Sequence, residues 1–372
     1  MISDIRLGER GGGELRLVID VDDAIAPAIS VLPDPYRVVL DLPAADWHSE
    51  QGQGAGKGFI AGYRYGLFSP TQSRLVLDLT EPAVVRRAFL LQPSGRFSYR
   101  YVVDLAAADR AAFLAAAKAS RPMESLSPPV TRQAEAAGPK ESRKPHIVID
   151  PGHGGIDPGT RSHAGHQEKA IVLAVAQEVA RQLAATGRYG VTLTRDSDIF
   201  IPHRRRIEIA RVNEADLFIS IHADWIKNDA MTGGTVYTLS EKASDAEAAA
   251  LAARENKADI IAGVDLNGEN DEVRDILISL AQRETMNYSS RFANMLVEAL
   301  GGKNLIPARP HRFAGFIVLK APDVPSVLIE TGYLSNRDDA RRLASRDGQR
   351  QIAAAVVRAA NRYFDERLAQ RF

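Results

Sequence analysis

The chain has 372 residues, 45% hydrophobic and 25% charged, a globular balance with room for two domains that each bury a core. Lysine plus arginine equals aspartate plus glutamate at 47 each, so no net field draws the protein onto nucleic acid or anionic lipid. The absence of cysteine excludes disulfides and thiolate metal sites, leaving histidine and carboxylate to hold any metal.

No apolar run is long enough to span a membrane. No signal peptide precedes the strand-like stretch Ile2–Leu7, so an exported protein would be numbered here in trimmed form, with Met1 supplied. Residues 1–105 read as a small all-β sandwich. A pattern of Arg, apolar, Val, apolar, Asp recurs at Arg16–Asp20, Arg37–Asp41, Arg74–Asp78 and Arg100–Asp104. Because alternate residues of a strand share a face, each copy turns two bulky apolar residues inward and an Arg/Val/Asp row outward. Unequal spacing between copies excludes a solenoid, and Gly/Pro punctuation between them suits a sandwich. With no titratable cluster of catalytic type, this part is expected to be a binding module. Residues 106–144 read as a linker, an Ala-rich helix over 106–118 followed by an aperiodic Pro/Ser/Lys/Glu stretch.

From 145 to 372 strand and helix patterns alternate, as in an α/β domain with a mixed sheet flanked by helices. His146–Ile149 is a short buried strand, stopped by Asp150-Pro151-Gly152, which presents His153 at its carboxyl end. Helical spacing follows over 169–185, then a strand at 191–194, a helix at 204–212 and an apolar strand at 217–221 that runs into His222. Further strands are expected at 234–239, 316–319 and 327–329, the last running into Glu330. Helices are expected at 285–300, from about 337 and from 349 onward.

Three strands thus end on His153, His222 and Glu330, and Glu168 opens the first long helix. Sites in α/β sheets are built at that edge. Two histidines and a carboxylate with an open fourth position form a catalytic zinc set, and a further carboxylate can act as general base. Taken singly, each residue has a structural reading: Glu168 as a helix N-terminal acid, His222 as a core histidine, Glu330 as a strand-end acid. His163 and His166 are rival ligands, since His166 and Glu168 lie two apart and could face the same way on an extended segment.

Asp150-Pro-Gly-His-Gly-Gly155, Gln167-Glu-Lys169, Thr194-Arg195, Ser220-Ile-His-Ala-Asp224 and Pro325–Asn336 resemble the zinc-dependent N-acetylmuramoyl-L-alanine amidases of bacterial cell division. The β-rich N-terminal part resembles the peptidoglycan-binding AMIN domain that precedes such amidases. Arg211 departs from the family, which usually has Asn there, and is expected to affect packing rather than chemistry. The resemblance implies zinc held by His153, Glu168 and His222, and catalysis by Glu330. It further implies hydrolysis of the amide between N-acetylmuramic acid and L-alanine in peptidoglycan, in the periplasm, during septal wall splitting. The expected protein is a monomer, with a LytM-type activator as its protein partner.

Residues 240–284 form an excursion from the domain. Ser244 and Glu247 make a capping box, and Ala248, Leu251, Ala258 and Ile261 or Ala262 give the helix an apolar stripe with Glu255 in its middle. A carboxylate there needs a cation. Glu255 is expected to be an inhibitory fourth zinc ligand, as the resemblance also implies; the alternative pairs it with a surface Lys or Arg. Glu272, at the start of a second helix over 271–284, is the runner-up. Two other readings stand beside this one: a catalytically silent peptidoglycan-binding recruitment protein, and a hydrolase cutting another amide of the stem peptide.

Overall fold

The computed structural model describes residues 1–47, 52–95, 97–120, 143–264, 280–301 and 310–369. The chain divides into two compact units, one built chiefly from N-terminal residues and one chiefly from C-terminal residues.

The N-terminal strands are β1 (Ile2–Arg10), β2 (Glu14–Val21), β3 (Ala28–Leu32), β4 (Arg37–Pro43), β5 (Gln53–Lys57), β6 (Ile60–Ser69), β7 (Gln72–Leu79), β8 (Ala83–Leu91) and β9 (Tyr99–Ala107). They form two antiparallel sheets, ordered β1-β2-β9-β8 and β3-β4-β7-β6-β5. The four repeated motifs occupy the inner strand pairs β2/β9 and β4/β7. As their alternation requires, Leu17, Ile19, Val38, Leu40, Leu75, Leu77, Tyr101 and Val103 enter one core. On the opposite faces the register sets Arg16 against Asp104 and Arg74 against Asp41, each pair closing at 2.6 Å. Helix α1 (Arg110–Ala119) is capped by Asp109, whose carboxylate accepts from Ala112 N at 2.7 Å. It drives Phe113, fully buried, into the same core, edge-on to Tyr36 with ring centroids 5.0 Å apart.

The C-terminal unit runs β10 (His146–Pro151), α2 (Glu168–Ala185), β11 (Gly190–Leu193), α3 (His203–Val212), β12 (Leu217–His222) and β13 (Thr235–Leu239). It continues through α4 (Ala246–Glu255), α6 (Leu280–Leu300), β14 (His311–Ala314), β15 (Ser326–Glu330), α7 (Arg337–Ala344) and α8 (Arg346–Ala369), whereas the short α5 (Ala258–Ile261) is grouped from Asp259 onward with the first unit. The sheet order is β11-β10-β12-β15-β13-β14, parallel except where β13 meets β15, so the sheet is mixed as expected. Alternate residues of each strand face opposite ways. Ile147, Ile149, Ile219, Ile221, Val327 and Ile329 pack under α2, α6 and α8, while Val148, Phe218, Tyr237 and Leu328 pack under α3 and α4.

Two local expectations are corrected. Phe316–Leu319 is not a strand: Ile317–Leu319 is a 3-10 turn whose Val318 and Leu319 are buried by packing instead of pairing. A short apolar run cannot by itself distinguish these outcomes. The strand at His311–Ala314 was hidden by its length and polarity. Helix α4 is capped by Asp245, which accepts from Ala248 N at 2.8 Å, and not by Ser244, whose hydroxyl bonds the Phe313 backbone. The second helix expected over 271–284, with Glu272, lies largely outside the described residues, α6 being described from Leu280.

One buried ion pair ties the sheet's carboxyl edge together. The Asp150 carboxylate, fully buried at the end of β10, accepts from Thr194 Oγ1 at 2.6 Å, Ser220 Oγ at 2.8 Å and Arg206 Nη1 at 2.7 Å. Burial pushes its pKa up, but Arg206 and the two hydroxyls outweigh that and hold it below the usual carboxylate range. Arg206 also donates to Ile201 O at 2.7 Å, Pro151 O at 2.7 Å and His153 O at 2.8 Å, which fixes the turn after β10.

Phe113→Ala should lower the stability of the N-terminal unit by about 3–5 kcal/mol; a urea midpoint shift worth less than about 1 kcal/mol would show the helix to be peripheral. Arg206→Ala leaves a carboxylate buried without its cation and should cost about 3–5 kcal/mol, seen as an early unfolding transition of the C-terminal unit.

Candidate metal centre and active site

Strands β10, β12 and β15 run parallel and end together, with Asp150 beside Ser220 and His222 beside Glu330 in register. His222 and Glu330 are the last residues of their strands. His153 lies two residues beyond β10 with φ +58°, a left-handed conformation sustained by the Arg206 bond to its carbonyl. Gly152 is obligatory between them, since a Cβ there would lie 2.3 Å from the His222 ring. Glu168, 1% exposed, opens α2. Its Oε1 accepts from Ala223 N at 2.9 Å; its Oε2 accepts from Thr160 N at 2.9 Å and Thr160 Oγ1 at 3.0 Å.

The ends of these elements converge. His153 Nε2 lies 3.1 Å from Glu168 Oε1 and 3.4 Å from Glu255 Oε2; His222 Nδ1 lies 3.3 Å from each of the same two oxygens. His153, His222 and Glu255 form the group whose ligand atoms all fit within 4.8 Å. Glu255 is the last residue of α4 and is 7% exposed, so the helix's final turn walls one side of the cleft, with Asn256 and Phe316 beside it. Four N/O donors at radii of about 2.0–2.1 Å from a common centre would be spaced at about 3.3–3.4 Å in a tetrahedron. The four His–Glu separations, out of the six edges of such a tetrahedron, match that spacing, and His222 Nδ1 is buried without a hydrogen bond among the described residues. The donor set therefore suits a cation held by nitrogen and oxygen.

Glu330 is fully buried beside this cluster. Its Oε2 accepts from Asp224 N at 2.7 Å, while Oε1 makes no hydrogen bond among the described residues. Burial first, then the charges of Asp224, Glu168 and Glu255, push its pKa well above the usual range. Asp224 is raised to about 7 by burial, against the opposing pull of Arg254. The Arg254 guanidinium pairs with Asp224 Oδ1 and donates to Trp225 O at 3.2 Å.

His163 and His166 are exposed and stand outside the cluster. Arg211 sits on the surface, paired with Asp323 at 3.0 Å. Thr160, Arg206, Asp224 and Arg254 went unremarked from sequence. The signal for Arg206 was a buried-side cation among the exposed arginines of α3; that for Asp224 was its place two residues after His222.

The N-acetylmuramoyl-L-alanine amidase profile matches residues 147–362 and the AMIN domain profile matches residues 4–108. The chain is 35% identical to the N-acetylmuramoyl-L-alanine amidase AmiC of Neisseria meningitidis serogroup B, across 96% of this chain and 88% of that protein. It is 33% identical to AmiC of Escherichia coli O6:H1, across 90% of this chain and 82% of that protein. Among solved structures, the amidase AmiC2 of Nostoc punctiforme aligns at 30% identity over 60% of this chain and 99% of that one, with a TM-score of 0.43. The amidase profile covers more than half of the chain, which places this protein in the N-acetylmuramoyl-L-alanine amidase family, with an AMIN domain ahead of its catalytic domain.

Proposed function

We propose that the protein is a zinc-dependent, autoinhibited amidase of the periplasm. It would cut peptidoglycan between N-acetylmuramic acid and L-alanine as daughter cells separate, with residues 1–105 targeting the wall and 145–372 as the catalytic domain. Of the expected linker 106–144, residues 106–107 end β9 and α1 packs on the N-terminal core, which leaves the tether to begin after α1. The observation that supports the reading is the convergence of two histidines on two carboxylates, with His–Glu separations of 3.1–3.4 Å across elements far separated in sequence.

His153, His222 and Glu168 are the resident zinc ligands. Glu168 suits that role because Thr160 and Ala223 fix both its oxygens, the support that metal ligands require. Zinc held there would polarise the scissile carbonyl and acidify a bound water. Glu330 takes a proton from the attacking water on its unbonded Oε1 and returns it to the departing amine, a task for which a raised carboxyl pKa is suited. Asp224 N–H holds the other oxygen and so orients the base.

Glu255 is a fourth ligand supplied by α4. Its carboxylate occupies the position that substrate needs, and an activator of LytM type would withdraw the helix. The four donors come from one chain, which supports a monomer as the active unit.

Purified protein should carry about one zinc per chain, lost in His222→Ala. Glu330→Gln should keep the metal yet release dye from labelled peptidoglycan roughly 10²–10⁴-fold more slowly; equal rates would remove Glu330 from the chemistry. Glu255→Ala should raise basal dye release in the absence of any activator, and activity no higher than that of the parent defeats the blocking role. A silent recruitment protein would release no dye even as fully loaded Glu255→Ala.

A further inference from the structure

Two adjacent residues of α4 fill two different pockets. Glu255 puts a carboxylate between His153 and His222, while Arg254 puts a guanidinium on Asp224. The two heads also face each other, Arg254 Nε lying 3.5 Å from Glu255 Oε1. Asp224 is 3% exposed and its backbone N–H holds Glu330, so the arginine stands beside the proposed acid/base residue.

Hydrolysis of an amide yields the same two charges. Water oxygen bonds to the carbonyl carbon, the C–N bond breaks, the nitrogen gains protons and the acid loses one: R–CO–NH–R′ + H2O gives R–COO⁻ and R′–NH3⁺. The carboxylate is born at the metal side. The nitrogen, protonated by Glu330, is born beside Asp224.

The geometry points to Asp224 as the binding group for the leaving amine, and to Arg254-Glu255 as a mimic of the paired products. This rests on the blocking role proposed for α4. Arg254 is the cation that Asp224 holds in this structure. Once α4 leaves, the buried Asp224 carboxyl loses its guanidinium partner and must either take up a proton or accept another cation in its place. The L-alanyl ammonium is that cation, and its attraction to Asp224 grows only as the C–N bond breaks, so the contact favours the late stage of the reaction over the bound substrate.

The test is calorimetric titration of zinc-loaded Glu255→Ala protein with L-alanyl-D-isoglutamine and with its N-acetylated form. The free amine should bind at least about tenfold tighter, as expected of a charge-assisted hydrogen bond. Adding Asp224→Asn should bring the two affinities within about twofold, and adding Arg254→Ala, which removes the competing guanidinium, should widen the gap. Equal binding of the two peptides, or a preference that survives Asp224→Asn in protein retaining its zinc and thermal midpoint, overturns the assignment. Should Asp224→Asn fail to retain zinc, an unchanged ratio in Arg254→Ala overturns it instead. If Glu255→Ala gains no activity while the amine preference and its loss are found, the blocking role falls and the amine site stands. If Glu255→Ala is activated and shows no preference, only the amine site falls.

Discussion

The buried contact between Asp150 and Arg206 holds the active edge of the catalytic domain together. One carboxylate collects hydroxyls from the ends of β11 and β12, and one guanidinium collects three carbonyls from the turns on either side. A buried pair of this kind earns little stability against an apolar replacement. Its value lies in position: the same guanidinium that neutralises Asp150 grips the carbonyl of His153 and holds that residue in a backbone conformation it would otherwise avoid. The imidazole is aimed by an interaction none of whose charged atoms touches the donor cluster.

Around that cluster the balance of charge is lopsided. Glu168, Glu255, Asp224 and Glu330 are all nearly or fully buried, and Arg254, delivered by α4, is the arginine set among them. Mutual repulsion and burial drive Asp224 and Glu330 toward their neutral forms, while the two histidines draw Glu168 the other way, against its own burial. Acids pushed apart in this manner divide labour, one as a permanent anion and one as a carrier of protons.

Most of this was legible in the chain itself, for identifiable reasons. The period-two Arg/Val/Asp rows lie on the faces turned away from the sandwich core, although Arg37, Val39, Asp41, Arg74 and Val76 are buried there and not exposed, and the strands that run into His222 and Glu330 had to end where a parallel sheet opens. Glu255 was found because a carboxylate on an apolar stripe demands a partner. What escaped notice depended on contacts remote in sequence. The role of Arg206 is set by residues up to 56 positions away, and that of Arg254 by Asp224, 30 positions away. The Phe316–Leu319 run misled because burial by side-chain packing and burial within a sheet leave the same short apolar signature. The cap of α4 fell one residue late because Ser244 and Asp245 are both good caps, and the Phe313 backbone claimed the serine.

Strand β13 leaves the sheet's active edge, with Thr235 beside Glu330, and runs antiparallel to β15. The chain is then carried back by α4, whose 10 residues span about 15 Å. The helix is thus a ruler with Glu255 at its tip. Loss or gain of a single residue anywhere along it shifts that tip by about 1.5 Å and swings it through about 100°. The reach of Glu255 toward His153 and His222 is therefore tunable by helix length and phase alone, with those two histidines left in place.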